Sequence, residues 1–155
     1  MTIIRFIHLL SLVIWIGGMT FFSFIAAPSI FKALPKEAAG DVVGDIFPKY
    51  WLMGYICSIT SLATLIILSY MERSYSLARV SLLVLMMALS FYSGLVVGSK
   101  AREVKSQIRM ADDASKKETL KSEFNILHKR STILNVSILI LGLAVIFLTA
   151  YKREL

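Results

Sequence analysis

Four apolar runs, Ile3–Ala27, Leu52–Tyr70, Leu77–Gly98 and Thr132–Ala150, leave this 155-residue chain few folds to choose from. Each is long enough to cross a hydrocarbon core about 30 Å thick, which takes ~20 helical residues. None contains Lys, Asp or Glu; the basic side chains and imidazoles inside them are Arg5 and His8 near the start of the first and Arg79 at the start of the third. Backbone N–H and C=O groups in lipid must be satisfied within the protein, so runs of this length span as helices. The sequence therefore predicts an all-α fold: an integral membrane four-helix bundle forming one domain over residues 1–155. Its 57% hydrophobic content exceeds that of soluble domains and belongs to lipid-facing surface. The first run is too long for the apolar core of a signal peptide, so it reads as a retained helix. The single cysteine, Cys57, forms no intramolecular disulfide.

Four spans put both termini on one side of the membrane, together with the short turn Met71–Ser76. This is side A, and it carries Arg5, Arg73, Arg79, Lys152 and Arg153. Side B holds the longer connections Pro28–Trp51 and Ser99–Ser131, with the other twelve of the seventeen Lys and Arg residues. Basic residues beside membrane spans face anionic lipid, which accounts for the net charge of +7 without nucleic acid. The same asymmetry predicts that residues 28–51 and 99–131 are cytoplasmic, in the inner membrane if the chain is bacterial.

The connections are themselves structured. Pro35 and Pro48 bracket a short amphipathic helix with Val42, Val43, Ile46 and Phe47 on one side, read as interfacial or as a lid over the side B mouth. Beyond Gly98 the third helix is predicted to continue to Met110, and Ala111–Ala114 breaks it. Ser115 and Glu118 then form a capping box, from which the fourth helix runs on to Ala150. The third and fourth helices thus form a hairpin that leaves the membrane on side B, either simply solvated or docking a protein partner.

Spacings of three and four place Arg5, His8, Ser11, Trp15, Gly18 and Phe22 on one face of the first helix. Tyr50, Gly54, Cys57, Ser61 and Thr64 repeat the pattern on the second, and Phe124, His128, Ser131, Asn135 and Gly142 on the fourth. Polar stripes of this kind face the bundle interior. Ser90, Gly94 and Gly98 form a small-residue ladder on the third helix, suited either to internal packing or to a homodimer. Trp15, Gly17, Gly18, Pro48, Ser131 and Asn135 read as packing positions.

The histidines carry the sharpest functional expectation. His8 lies roughly 8 Å inside its helix from side A, and Met86 and Met87 are expected at similar depth. Histidine with thioether suits copper or haem iron. Near side B, His128 would stand above Met19, Met53 and Cys57, donors for a soft metal. The two histidines lie near opposite faces of the membrane, which argues against one haem bound by both. There is no HExxH, no phosphate-binding glycine loop and no intramembrane carboxylate pair, so hydrolytic and phosphoryl-transfer chemistry find no support.

Two segments, Phe6–Gly54 and Phe124–Asn135, resemble the transmembrane protein 205-like family, also described as domain of unknown function 4149. The resemblance rests on His8, Trp15-x-Gly17-Gly18, Phe47-Pro48 and Phe124-x3-His128-x2-Ser131-x3-Asn135. It implies a four-helix membrane protein without a settled activity. The His8-x6-Trp15-x-Gly17-Gly18 pattern is also distantly similar to the copper resistance protein D family and to four-helix protoporphyrinogen oxidases that bind haem through a first-helix histidine. That likeness implies a ligand role for His8 alone.

The leading expectation is a membrane protein that binds or handles a transition metal or haem b, or another small ligand, within the bundle. One alternative is an assembly protein recruiting a partner through the 99–130 hairpin; the other is a haem-dependent membrane oxidoreductase.

Overall fold

The computed structural model describes residues 1–151, and each apolar run lies within a long helix. These helices are α1 (Thr2–Ala33), α2 (Lys36–Met71), α3 (Leu77–Met110) and α4 (Ala114–Tyr151). Consecutive helices pack on one another, and α4 closes back on α1. This is the up-and-down order that short connections favour. All four are long and apolar enough to cross a membrane, and the protein is an integral membrane protein with the bilayer as its solvent. Ile3, Phe6, Val13, Ile56, Ile140 and Phe147 are exposed on the outer faces, as lipid contact requires. Lys152 and Arg153 lie outside the described residues.

Of the three prolines that mark expected boundaries, Pro35 caps α2, and Pro28 and Pro48 lie inside helices. Pro28 has no N–H to offer the Phe24 carbonyl. The preceding turn, Phe22–Ala26, widens to π geometry, with the Ala27 N–H reaching the Phe22 carbonyl. Such a widened turn absorbs the proline, and α1 continues to Ala33 instead of ending at Ala27. Pro48 was expected to end the amphipathic segment, but α2 runs straight through it. Gly44, four residues earlier, has no side chain to crowd the ring, and Lys105 Nζ covers the same face, donating to the Gly40 carbonyl at 2.7 Å. The segment after Pro35 is therefore continuous with the second span.

The α2–α3 turn closes with the Ser74 N–H donating to the Ser69 carbonyl at 3.1 Å, while Arg73 takes φ 48°. This is the left-handed helix ending usually given to glycine. At the far end, the break between α3 and α4 falls where the sequence places it. The cap differs: Asp113 Oδ1 accepts the Ser115 N–H at 3.1 Å, so Asp113 is the capping residue and not Ser115. An aspartate one position earlier offers a charged acceptor where the serine offers a neutral one. The hairpin has its own small core of Val97, Val104, Leu120 and Leu127. The main core, deeper in the bundle, is built on Leu12, Trp15, Ile16, Leu83, Met86 and Val145. Between membrane helices such packing acts through close van der Waals contact, since lipid is as apolar as leucine.

Candidate functional site

The helical spacing of α1 turns His8, Ser11 and Trp15 inward, and all three are buried. His8 Nδ1 lies 3.1 Å from the Ser61 carbonyl and 3.1 Å from Thr64 Oγ1. A carbonyl only accepts, so the ring proton sits on Nδ1. Thr64 Oγ1 in turn donates to the Thr60 carbonyl at 2.6 Å. Ser11 Oγ donates to the His8 carbonyl at 2.8 Å and lies 2.7 Å from Ser61 Oγ. The imidazole is thus fixed through one nitrogen. The other, Nε2, is buried without a partner among the described residues. In the neutral ring it presents a lone pair.

His8 lines a cavity of about 480 Å³ at the side A end of the bundle, to which all four helices contribute. α1 gives Arg5 and His8, α2 gives Ser69, the turn after it gives Glu72, α3 gives Arg79 and α4 gives Thr149, over an apolar floor including Leu12, Leu65 and Ile146. Its size falls within the range of small-molecule sites. Two further polar atoms on its lining residues, Ser69 Oγ and Arg79 Nε, are also buried without a partner among the described residues. His8 and Ser69 are each 3% exposed and Arg79 is 9% exposed. Arg5 Nε and Nη2 both donate to Glu72 Oε1, at 3.0 and 2.9 Å, which commits the cavity's one carboxylate among the described residues. Among the described residues no ion pair involves Arg79. A nearly buried guanidinium without an anion is costly, and more so beside lipid.

The side B end is filled instead. Phe22, Phe47, Tyr50 and Trp51 form an aromatic cluster with centroid separations of 5.1–5.9 Å. Trp51 packs on both Gly94 and Gly98 and the hydroxyl end of Tyr55 on Gly94, so close that a Cβ on either glycine would strike these side chains. The Ser90, Gly94 and Gly98 ladder therefore packs inside the protomer. The π-helical stretch of α3, Tyr92–Gly98, coincides with this contact. Arg102 stands over the Trp51 ring, 5.2 Å from its centroid. Outside the membrane, Asp41 on α2 pairs with Lys105 at 2.8 Å and with Arg109. The Lys105 hydrogen bond is the main reason the Asp41 carboxyl is held below its ordinary range. Tyr50 Oη, Trp51 Nε1 and Ser93 Oγ are buried without partners among the described residues. All three residues line a void of only about 10 Å³, along with Met19, Met53 and Asn135.

The metal expectations distribute as follows. Met86 is fully buried, its methyl beside Gly142 and Ile16, two helical turns deeper than His8. Neither Met86 nor Met87 lines the His8 cavity. Met19 and Met53 meet at the small void, and Met53 also packs on Gly18. Cys57 is buried in the main core. His128 is exposed, stacked on Phe124 at 6.4 Å. Gly17 faces lipid with open space around it, Gly54 packs under Trp15, and Ser131 is half-buried. Among the described residues no group of three His, Cys, Asp or Glu side chains could hold a metal ion. Besides His8, the polar groups on the described lining of the cavity are two guanidiniums, hydroxyls and a carboxylate already paired. That set does not fit a copper or haem-iron centre, which takes soft or imidazole partners and gains nothing from neighbouring cations. The sequence reading missed Ser69, Glu72 and the role of Arg79. Their signal was that Arg5, His8 and Arg79, the only basic side chains and imidazoles in the apolar runs, all lie toward side A.

Residues 10–109, nearly two thirds of the chain, match the family model described as a domain of unknown function, DUF4149. The chain belongs to the DUF4149 family. Within this DUF4149 protein the matched stretch carries Ser69, Glu72 and Arg79 of the cavity, while Arg5 and His8 precede it and α4 follows it. A protein of Aquifex aeolicus (strain VF5) that bears the description "Uncharacterized protein" is 45% identical over 42 residues. Those residues are 27% of this chain and 32% of that protein, so the similarity spans about a third of the relative's length. No solved structure matches the chain.

Proposed function

We propose that this DUF4149 protein is a membrane-embedded binding protein that holds a small amphiphile in the side A cavity. The observation that carries this reading is that three nearly buried residues, His8, Ser69 and Arg79, each with a polar atom unpartnered among the described residues, line one cavity of about 480 Å³. Polar groups buried without partners are uncommon in folded proteins, and three around one space mark a place for a ligand. The apolar floor supplies the contact for a chain, and the polar rim fixes a head. A route through the lipid suits such a molecule, because the helices that wall the cavity also face the bilayer. With the basic connections placed in the cytoplasm, the cavity opens on the opposite face.

The test is native mass spectrometry of the protein released from mild detergent, beside Leu9→Trp, in which an indole intrudes on the cavity. The wild type is expected to retain a small adduct, or to take up dodecanol, and the variant to do neither. Equal behaviour of the two proteins would refute the reading. Sidedness is checked with single cysteines placed at 74 and 112: a membrane-impermeant thiol reagent applied to whole cells should label only the first.

A further inference from the structure

The charges and proton positions around the cavity specify the head group of its ligand, on the premise that the cavity binds an amphiphile. We infer that the side A cavity takes an amphiphile whose head is a phosphate monoester, with Arg79 holding an anionic oxygen and His8 Nε2 accepting from a P–OH.

Three observations converge on this chemistry. Arg79 is nine-tenths buried, its Nε has no partner, and no described carboxylate pairs with it. Among the described residues Glu72 is the cavity's one acidic side chain, and Arg5 occupies it through two donors. The lining therefore carries a net positive charge, and a buried guanidinium asks for an anion with oxygens in its plane. The second observation is the histidine. Its Nδ1 proton is committed to Ser61 and Thr64, so the neutral ring offers Nε2 as an acceptor. An ionised carboxylate has no proton to give it. A singly ionised phosphate monoester has both functions on one phosphorus: charged oxygens for Arg79 and a hydroxyl for His8. Thirdly, the Ser69 hydroxyl, also unpartnered, adds a neutral donor to a remaining oxygen. Leu12, Leu65, Leu68 and Ile146 leave apolar surface for the chain below the head.

The experiment measures binding to the full chain in a neutral detergent by displacement of a fluorescent lipid analogue. The probes are dodecyl phosphate, dodecanoate, dodecanol and inorganic phosphate. Dodecyl phosphate is expected to bind at least about tenfold more tightly than dodecanoate, and more tightly still than dodecanol. In Arg79→Gln the affinity for dodecyl phosphate should fall by about 10- to 100-fold, the scale of a lost charge-assisted pair, with dodecanol unchanged. Ser69→Ala, a small change at a helix end, should weaken only the two anionic amphiphiles, and guards against misfolding of the arginine variant. Equal binding of dodecyl phosphate and dodecanol by the wild type would overturn the head-group assignment while leaving the amphiphile reading intact. Binding of neither would overturn both. Inorganic phosphate binding as well as dodecyl phosphate would overturn the amphiphile in favour of a free anion. Glu154 lies outside the described residues; anion binding that emerged only in Glu154→Gln would show that the chain's own carboxylate is the partner of Arg79, and would also overturn the inference.

Discussion

The two ends of the bundle treat the same difficulty in opposite ways. Each buries three polar atoms that find no partner among the described residues: His8 Nε2, Ser69 Oγ and Arg79 Nε on side A, and Tyr50 Oη, Trp51 Nε1 and Ser93 Oγ on side B. On side A the residues that carry them line a cavity of about 480 Å³; on side B the void that those residues line is about 10 Å³. The side B groups are neutral, and a space of that size holds about one water, which satisfies two to four polar atoms. The side A set includes a guanidinium, for which one water is poor compensation. The volume around an orphaned group, together with its charge, separates a packing detail from a binding site.

This contrast can be broken most forcefully on side B. Trp51→Ala removes the ring that covers Gly98, stacks on Phe47 and carries Arg102. It should cost ~3–5 kcal/mol, read as a lower midpoint of unfolding in mixed detergent with rising dodecyl sulfate. Gly98→Ala places a methyl against the same ring and should cost ~1–3 kcal/mol. Gly17→Ala, where nothing lies within 4 Å of the added methyl, should leave the midpoint unchanged. If all three variants behaved alike, the filled end would not be filled as described.

Side A should respond in the opposite direction. In ligand-free protein Arg79→Met replaces an uncompensated buried charge with an apolar side chain and should raise stability by about 1 kcal/mol or more. A loss of stability on this change would mean that Arg79 already has a partner within the protein. Arg73→Gly, in the turn beside the cavity, relieves a left-handed φ and should stabilise by about 1 kcal/mol. The smallest effect is expected at the side B clasp, because exposed ion pairs are weak. The Asp41 carboxyl is held below its ordinary value of 3.8, chiefly by Lys105. The clasp therefore stabilises fully above that value and is lost as pH falls through the lowered one. Spin labels at positions 37 and 108 should separate only in acid below about pH 4, and Asp41→Asn should already be separated at neutral pH.

Much of the fold was legible in the sequence, because the bilayer converts apolar length directly into helices. The spans, the long α3–α4 hairpin and its break after Met110 all follow from run length and from Ala-Asp-Asp-Ala. Pro28 and Pro48 misled for a physical reason. A proline ends a helix only when nothing absorbs it, and here a π turn and a glycine four residues earlier do so. The Ser115 cap lost to Asp113, a competition between neighbours that spacing alone does not decide. His8 was legible as an inward-facing, ionisable residue. That it shares a cavity with Arg79 was not, because the two are 71 positions apart in the sequence. Met86 and Met87 were placed at the depth of His8, but Met86 packs with Ile16 against Gly142, and Ile16 lies two helical turns beyond His8.

The most direct measurement is a crystal structure of the protein grown from a lipidic phase, with the two ends compared in one map. The account predicts elongated density in the side A cavity whose polar end touches His8 Nε2, Ser69 Oγ and the Arg79 guanidinium, and at most a single water beside Trp51 Nε1. A closed side A end, with those three groups bonded to one another or to other side chains of the protein, would contradict it.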